Sequence, residues 1–328
     1  MVMFWVAILA ISILIYVVLD GFDLGVGILF GLTPDETRRR VMLSTVAPIW
    51  DGNETWLVVA GVVLWGAFPV VYSTLLSAFY LPLLLMLAGL ILRGVAFEFR
   101  YKTERLRWIW DASFAGGSLV AAFIQGTAVG ALVEGLPVSN GRYVGGAFGW
   151  FSPFAVLCGI GLCIGYSLLG ACWLVKKSEG ELREAVYYRL HYLAIGLLTF
   201  LVIVFVYALA ADLRVMARWI ERPYLLVFPA IGAIAAIALA RGLLRRQDGS
   251  PFYMVALIFA AAFGTLAISF WPYMIPFSIT IEEAAAPHSS LAFMFWGAGL
   301  FVFPLMLVYT AIGYIVFRGK VKVTPERY

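Results

Sequence analysis

Charge is what this sequence has least of. Only 13% of its 328 residues are Asp, Glu, Lys or Arg, against roughly 25% in an ordinary soluble domain. No stretch is polar enough to be a soluble domain, and no soluble linker divides the chain. Histidine occurs twice, at His191 and His288, and cysteine three times, at Cys158, Cys163 and Cys172. The cysteines share one apolar segment with no Cys-x-x-Cys spacing, so they read as buried small hydrophobes rather than a redox or metal pair. No Lys or Arg precedes Arg38. The first apolar run therefore lacks the positive leader of a cleavable signal peptide and is expected to stay as a helix. A nucleotide-binding loop, a catalytic triad and a His-Glu-x-x-His zinc motif are all missing. The net charge of +4 lies in short loops, where membrane topology explains it without a nucleic-acid partner.

What the chain has in abundance is apolar length. It is 63% hydrophobic, and runs near 20 residues recur along it, each long enough to cross a bilayer. A β-barrel would instead show short alternating strands. The expected fold is all-α and polytopic, one membrane domain over 1–328. Nine spans are read, at about Phe4–Leu32, Ile49–Val71, Thr74–Phe97, Asp111–Val133, Trp150–Val175, His191–Ala211, Tyr224–Ala240, Phe252–Ile275 and Leu291–Phe317. Short loops between them point to antiparallel neighbours packed as bundles.

The loop charges set an expected orientation. Arg38–Arg40 follow the first span, and Arg100, Lys102, Arg105 and Arg107 the third. Lys176, Lys177, Arg183 and Arg189 follow the fifth, and Arg241, Arg245 and Arg246 the seventh. The tail carries Arg318, Lys320, Lys322 and Arg327. Eighteen basic residues thus lie on one side, against four on the other (Arg142, Arg214, Arg218 and Arg222). By the positive-inside rule the N-terminus is outside and the C-terminus cytoplasmic.

With that orientation, unusual charges gather at one depth. Trp50-Asp51-Gly52-Asn53-Glu54-Thr55-Trp56 puts Asp51 and Glu54 on one helix face at the cytoplasmic start of the second span. An acid at the centre of a span costs roughly 2.5–3.5 kcal/mol on insertion scales, less near an interface. Asp20 and Asp23 fall in the cytoplasmic half of the first span, and Arg93 and Glu98 near the end of the third. One Arg cannot neutralise five acids, so at least one acid is protonated, solvated or paired with another chain. For Asp51 and Glu54 the functional reading is a proton path, and the plain one is acids placed near a helix dipole. For Asp20, Asp23 and Arg93 the plain reading is an ion pair that locks the bundle. Gly27 and Gly31 continue the Asp20/Asp23 face, while Gly21 and Gly25 form a second close-approach pair. Gln125, deep in the fourth span, reads as a helix–helix hydrogen bond. The two histidines lie on opposite sides of the membrane, so they cannot share one haem or metal. Many tryptophans, among them Trp5, Trp108, Trp150 and Trp219, sit near span ends as an interfacial belt does.

Leu19-Asp20-Gly21-Phe22-Asp23-Leu24-Gly25-Val26-Gly27, then Trp50 to Trp56, then Arg93-Gly94-Val95-Ala96-Phe97-Glu98-Phe99-Arg100 resemble three motifs of subunit II of the bacterial cytochrome bd quinol oxidases, including the cyanide-insensitive type. The order and spacing match, and the resemblance runs along essentially the whole chain, more weakly after Ala210. It implies two four-helix bundles, here 1–134 and 150–275, plus a ninth helix at 291–317. It implies a multi-pass protein of the bacterial inner membrane and a terminal oxidase reducing oxygen with quinol. Subunit I, the partner, would hold two b haems and a d haem (or a third b-type haem), while subunit II binds none and has no catalytic residue or metal site of its own. By the same resemblance Asp51 belongs to a proton path from the cytoplasm, Trp56 lies near an oxygen entry route, and Asp23 and Arg93 affect haem retention across the subunit interface. Some relatives hold a structural quinone in this subunit, and a small accessory subunit is a further partner. The competing readings are a proton-coupled secondary transporter using the same acids, and a purely structural assembly subunit.

The scarcity of histidine yields a first expectation. Purified without a partner, the chain should give a flat reduced-minus-oxidised haem spectrum; a stoichiometric haem band would contradict this.

Overall fold

Because the chain is mostly apolar, almost every long segment is forced into helix, the state that satisfies its own backbone inside lipid. The computed structural model describes residues 1–321 apart from Glu104, Asn140 and Asp212; the tail charges Lys322 and Arg327 lie outside the described residues. The principal helices are α1 (Val2–Gly31), α2 (Glu36–Val46), α3 (Trp50–Ala67), α4 (Pro69–Phe99), α5 (Arg107–Glu134), α6 (Pro153–Lys177) and α7 (Gly180–Ala210). They continue with α8 (Arg214–Glu221), α9 (Val227–Leu244), α10 (Ser250–Phe270), α11 (Ile281–Ala284), α12 (His288–Met294) and α13 (Val302–Val316). A five-residue π-helical segment, Phe295–Gly299, joins α12 to α13. Two short antiparallel hairpins cap the loops, pairing Val138–Ser139 with Arg142–Tyr143 and Tyr273–Ile275 with Ile279–Thr280.

Among the described residues, eight segments are long and apolar enough to cross a membrane. The expected second span is not one of them. It is present as the 18-residue α3, but Asp51, Asn53 and Glu54 fill its opening turns and dilute its apolar character. Other boundaries also shift. The expected sixth span begins as helix at Gly180 rather than His191. The expected eighth span ends as helix at Phe270, because Tyr273–Ile275 turns into a hairpin strand. α4 is kinked at Phe79, where the backbone leaves helical angles (φ −116°, ψ 20°), three residues before Pro82.

α1 is the axis of the packing. It lies against α3, α5 and α6, while α4 packs on α5, α5 on α6, α6 on α7 and α9 on α10. Its glycines divide these contacts by face. A Cβ at Gly25 would run into the backbone carbonyl of Tyr166 on α6, and one at Gly21 would sit 2.6 Å from the Tyr166 ring. A Cβ at Gly31 would come within 2.7 Å of Ala115 of α5, and one at Gly27 would meet the Ser118 hydroxyl. Thus one small-residue pair receives α6 and the other α5, as backbones brought close by missing side chains require.

The arginine-rich face is held by shared ion pairs. Arg100, buried at the end of α4, donates Nε to Asp111 (2.5 Å) and Nη2 to Glu36 (2.8 Å). Glu36 also receives Arg40 (3.2 Å) and Arg107 (3.3 Å). Partial burial by itself would raise the Glu36 carboxyl, but the hydrogen bonds and charges of these arginines outweigh it and hold Glu36 below its usual range. At the chain's other end, Lys177 donates to the carbonyls of Phe317 and Gly319, and Val321 N returns a bond to the Lys177 carbonyl (2.8 Å). Lys320 pairs with Asp248 (2.9 Å).

The Gly25 contact is with backbone, which cannot rotate away. Gly25→Ala should therefore lower recovery of monodisperse chain from membranes. Gly116→Ala, where an added Cβ meets nothing within 4 Å, should be tolerated or gain about 0.5–1 kcal/mol of helix propensity. Equal behaviour in size-exclusion profiles and thermal midpoints would mean that α1 and α6 are not in backbone contact.

Candidate functional site

The turns that open α3 present each of their side chains to a different neighbour. Trp50 stacks on Phe97 of α4, centroids 4.9 Å apart and planes 12° from parallel. Gly52 leaves room for Tyr309 of α13, which a Cβ would approach to 3.3 Å. Asn53 turns to α1: its Nδ2 donates to Asp23 Oδ2 (2.7 Å) and to the Leu19 carbonyl (3.4 Å), while its Oδ1 accepts from Tyr314 of α13 (2.9 Å). Glu54 reaches Arg93 of α4. Trp56, wholly buried, donates Nε1 to the Thr310 hydroxyl of α13 (3.1 Å) and meets Phe303 edge to face. Asp51 remains exposed at the first turn.

The centre of this arrangement is a buried guanidinium. Arg93 and Asp20 are both fully buried, and Arg93 Nη2 donates to Asp20 Oδ1 at 2.6 Å. The same nitrogen lies 3.4 Å from Glu54 Oε2, whose side chain is 26% exposed. The sequence left open whether Asp20 or Asp23 pairs Arg93; the direct partner is Asp20, and Asp23 is held by the Asn53 amide. Asp20 Oδ2, Asp23 Oδ1, Arg93 Nε and Arg93 Nη1 are buried with no hydrogen-bond partner among the described residues. Two carboxylates thus meet one guanidinium, and a third, Asp23, is held nearby by Asn53. A group that concentrates negative charge in low dielectric needs protons, water or a partner's charge to balance it.

A second polar run leads inward from α1. Gln125 donates Nε2 to the Tyr16 hydroxyl (2.7 Å) and accepts from Tyr166 (2.9 Å), so one amide ties α5 to both α1 and α6. This is the helix–helix role read from its depth in the fourth span.

Glu98 does not join the group. It lies on the outer side of α4, 71% exposed, 3.6 Å from Lys102, because five residues of helix past Arg93 rotate it away from α1 and α3. Asn53, Tyr314, Thr310, Tyr16 and Tyr166 were not singled out in the sequence. The signal that would have found two of them is the pair Thr310 and Tyr314, four apart on one face of an otherwise apolar helix.

The two histidines are not placed to share a haem. His191 and His288 are both exposed. Arg189, beside His191, donates to the Leu32 carbonyl (3.4 Å), whereas Trp5 donates to Leu291, beside His288 (3.2 Å). The two imidazoles therefore sit at opposite ends of α1, a helix about 45 Å long at 1.5 Å per residue. Among the described residues no group of His, Cys, Asp and Glu is arranged to hold a metal ion.

A family described as cytochrome bd terminal oxidase subunit II matches residues 1–317. A probable cytochrome oxidase subunit 2 of Haemophilus influenzae is 30% identical, with the match covering 95% of this chain and 91% of that protein. The cytochrome bd-I ubiquinol oxidase subunit 2 of Escherichia coli K12 is also 30% identical, over 97% and 94%. A bd oxidase structure from Geobacillus thermodenitrificans superposes with a TM-score of 0.77 over 97% of both chains, at 16% identity, a likeness of fold.

Removing one partner of the buried pair strands the other. Arg93→Ala and Asp20→Ala should each cost on the order of 3–5 kcal/mol, read as lost recovery of folded chain and a lower thermal midpoint, with Arg93→Lys milder. Asp23→Asn should be milder than either, since its partner is an amide that can bond to Asn as well. Equal losses for Asp20→Ala and Asp23→Asn would contradict the pairing.

Proposed function

The chain belongs to the cytochrome bd terminal oxidase subunit II family, and on that premise we propose that it is the haem-free subunit that helps deliver cytoplasmic protons to oxygen reduction on its partner. As a family member it is a multi-pass protein of the bacterial inner membrane, part of a cytochrome bd oxidase complex, and works with subunit I, where the family places the haems. Membership displaces the secondary-transporter reading.

One observation carries the proposal: exposure falls stepwise along a single set of acids. Asp51 is exposed, Glu54 is 26% exposed, and Asp20 and Arg93 are fully buried. An acid open to water, a partly buried acid three residues on and the buried ion pair that this second acid touches make a graded entry for a proton. Reduction of one O₂ to two waters consumes four protons. Drawn from the cytoplasm while quinol releases its own outside, they separate charge without a pump. The N-out orientation puts Asp51 on the supplying side, and we read α3 as the ninth span, its polar start kept in the membrane by Arg93 and Asn53. The packing order of α1, α3, α4 and α5, and of α6, α7, α9 and α10, supports two four-helix bundles with α13 as the extra helix.

The finer assignments extend the same reading. Trp56, enclosed between α3 and α13 with Phe303, would line an oxygen route. A structural quinone's isoprenoid tail would suit the apolar groove of about 460 Å³ lined by Leu14, Val18, Ala256, Leu257, Ala260 and Thr310. The haems of subunit I would provide the electron chemistry, and this chain's part would be to hold and pass protons.

The test is Asp51→Asn in the intact complex. Asn keeps size and hydrogen bonding but cannot carry the proton. Quinol-driven oxygen uptake per haem should fall roughly tenfold, ~1.4 kcal/mol on the barrier, with the haem spectrum intact. Asp51→Glu should retain more activity. Glu54→Gln should match Asp51→Asn if the two acids act in series. Wild-type turnover and membrane potential in Asp51→Asn would reduce the subunit to a scaffold.

A further inference from the structure

On the arginine-rich face, the end of α1, α2 and the start of α5 enclose a cavity of about 280 Å³ lined by Gly31, Arg39, Trp108, Asp111, Ala112 and Ala115. Exposed Gly31, Trp108 and Ala112 mark its mouth. Its depth is set by the two helices that frame it. Gly31 ends the 30-residue α1 and Trp108 lies in the first turn of α5, where an indole marks the boundary between lipid tails and headgroups. Gly31 and Ala112, with Ala115 behind them, make one side small and apolar, which leaves width for an acyl chain.

The polar wall is a fixed guanidinium. Arg39 donates Nε to the Thr33 carbonyl (2.6 Å) and Nη1 to Asp111 Oδ2 (2.9 Å), and lies 5.0 Å from the Phe30 ring. Its Nη2 has no hydrogen-bond partner among the described residues. Asp111 does not repel an anion strongly, because Arg100 takes its other oxygen. Arg100 continues to Glu36, which Arg40 and Arg107 share. Four guanidiniums therefore face two carboxylates in one connected group. The wider sequence keeps the excess: residues 35–40 and 98–111 hold seven Lys or Arg against five Asp or Glu.

We propose that this corner seats an anionic phospholipid, its phosphate on Arg39 and the start of one acyl chain against Gly31, Ala112 and Ala115. A planar guanidinium with a spare edge suits a phosphate diester. A basic pocket between spanning helices at headgroup depth is where an acidic headgroup gains from both charge and burial of its glycerol. The occupied site would brace α2, and with it the loop that delivers Asp51.

The experiment is native mass spectrometry of the intact oxidase complex released from mild detergent. It is titrated with dioleoylphosphatidylglycerol, with dioleoylphosphatidylcholine, and with the former in the presence of inorganic phosphate. Wild type should retain at least one phosphatidylglycerol in preference to phosphatidylcholine. Arg39→Gln should lower that retention about fivefold, the weight of one arginine near an anionic lipid. Ala112→Phe, which fills the cavity and touches no ion pair, should do the same with an unchanged haem spectrum, and it decides the matter if Arg39→Gln folds poorly. Equal retention of the two lipids, or wild-type retention in Ala112→Phe, would overturn the proposal. Displacement of the lipid by millimolar phosphate would also overturn it, by assigning the corner to the free anion.

Discussion

Everything at the polar end of α3 depends on burying one guanidinium. Arg93 has no access to water, and its contact with Asp20 is what makes that tolerable. A lone buried charge would cost several kcal/mol, so α4 is anchored to α1 wherever Arg93 goes. Once those two helices are fixed, Asp23 faces Asn53 and Glu54 faces Arg93, which sets the rotation of α3 about its own axis. That rotation leaves Asp51 pointing outward. The exposed acid and the buried pair are two consequences of one geometric choice.

Much of this was readable from residue types, because the membrane makes polar residues rare and therefore conspicuous. Asp20, Asp23, Arg93 and Glu54 could be placed at one depth by counting from span ends, and Gln125 could be recognised as an interhelical bond. Depth, however, is not direction. Glu98 has nearly the depth of Arg93, yet five residues of helix turn it to the outer surface, and counting along the chain cannot see that. The same limit left the choice between Asp20 and Asp23 open, since both lie one turn apart on α1. Tyr314 and Thr310 were missed for another reason. Their partners Asn53 and Trp56 are more than 250 residues away, and nothing local announces a contact between α3 and α13. α3 reads as a span only from its apolar second half, while its polar first half, which carries Asp51, Asn53 and Glu54, weakens that signal and leaves it outside the eight segments long and apolar enough to cross.

The glycines show how composition becomes geometry. α1 carries apolar residues on every side, so no stripe tells it which neighbour to choose. The choice is made where side chains are missing. Gly21 and Gly25 admit Tyr166 and its carbonyl, and Gly27 and Gly31 admit Ser118 and Ala115. Close approach on two faces brings α5 and α6 near enough for a single amide, Gln125, to reach hydroxyls on both sides.

α13 buries none of its residues within the described chain, yet it closes the site through Tyr314 and Thr310, and Lys177 grips the carbonyls just beyond its end. Of the described helices, this one leaves the ribosome after all the others. Until it emerges, Asn53 has only Asp23 and the Leu19 carbonyl, and the Trp56 indole has no acceptor. The charged pocket can therefore begin to form with the first helices but is finished only once α13 has been made. A chain stopped short of α13 would keep the Arg93–Asp20 pair, which needs only α1 and α4, and would lack the two hydroxyls that complete Asn53 and Trp56.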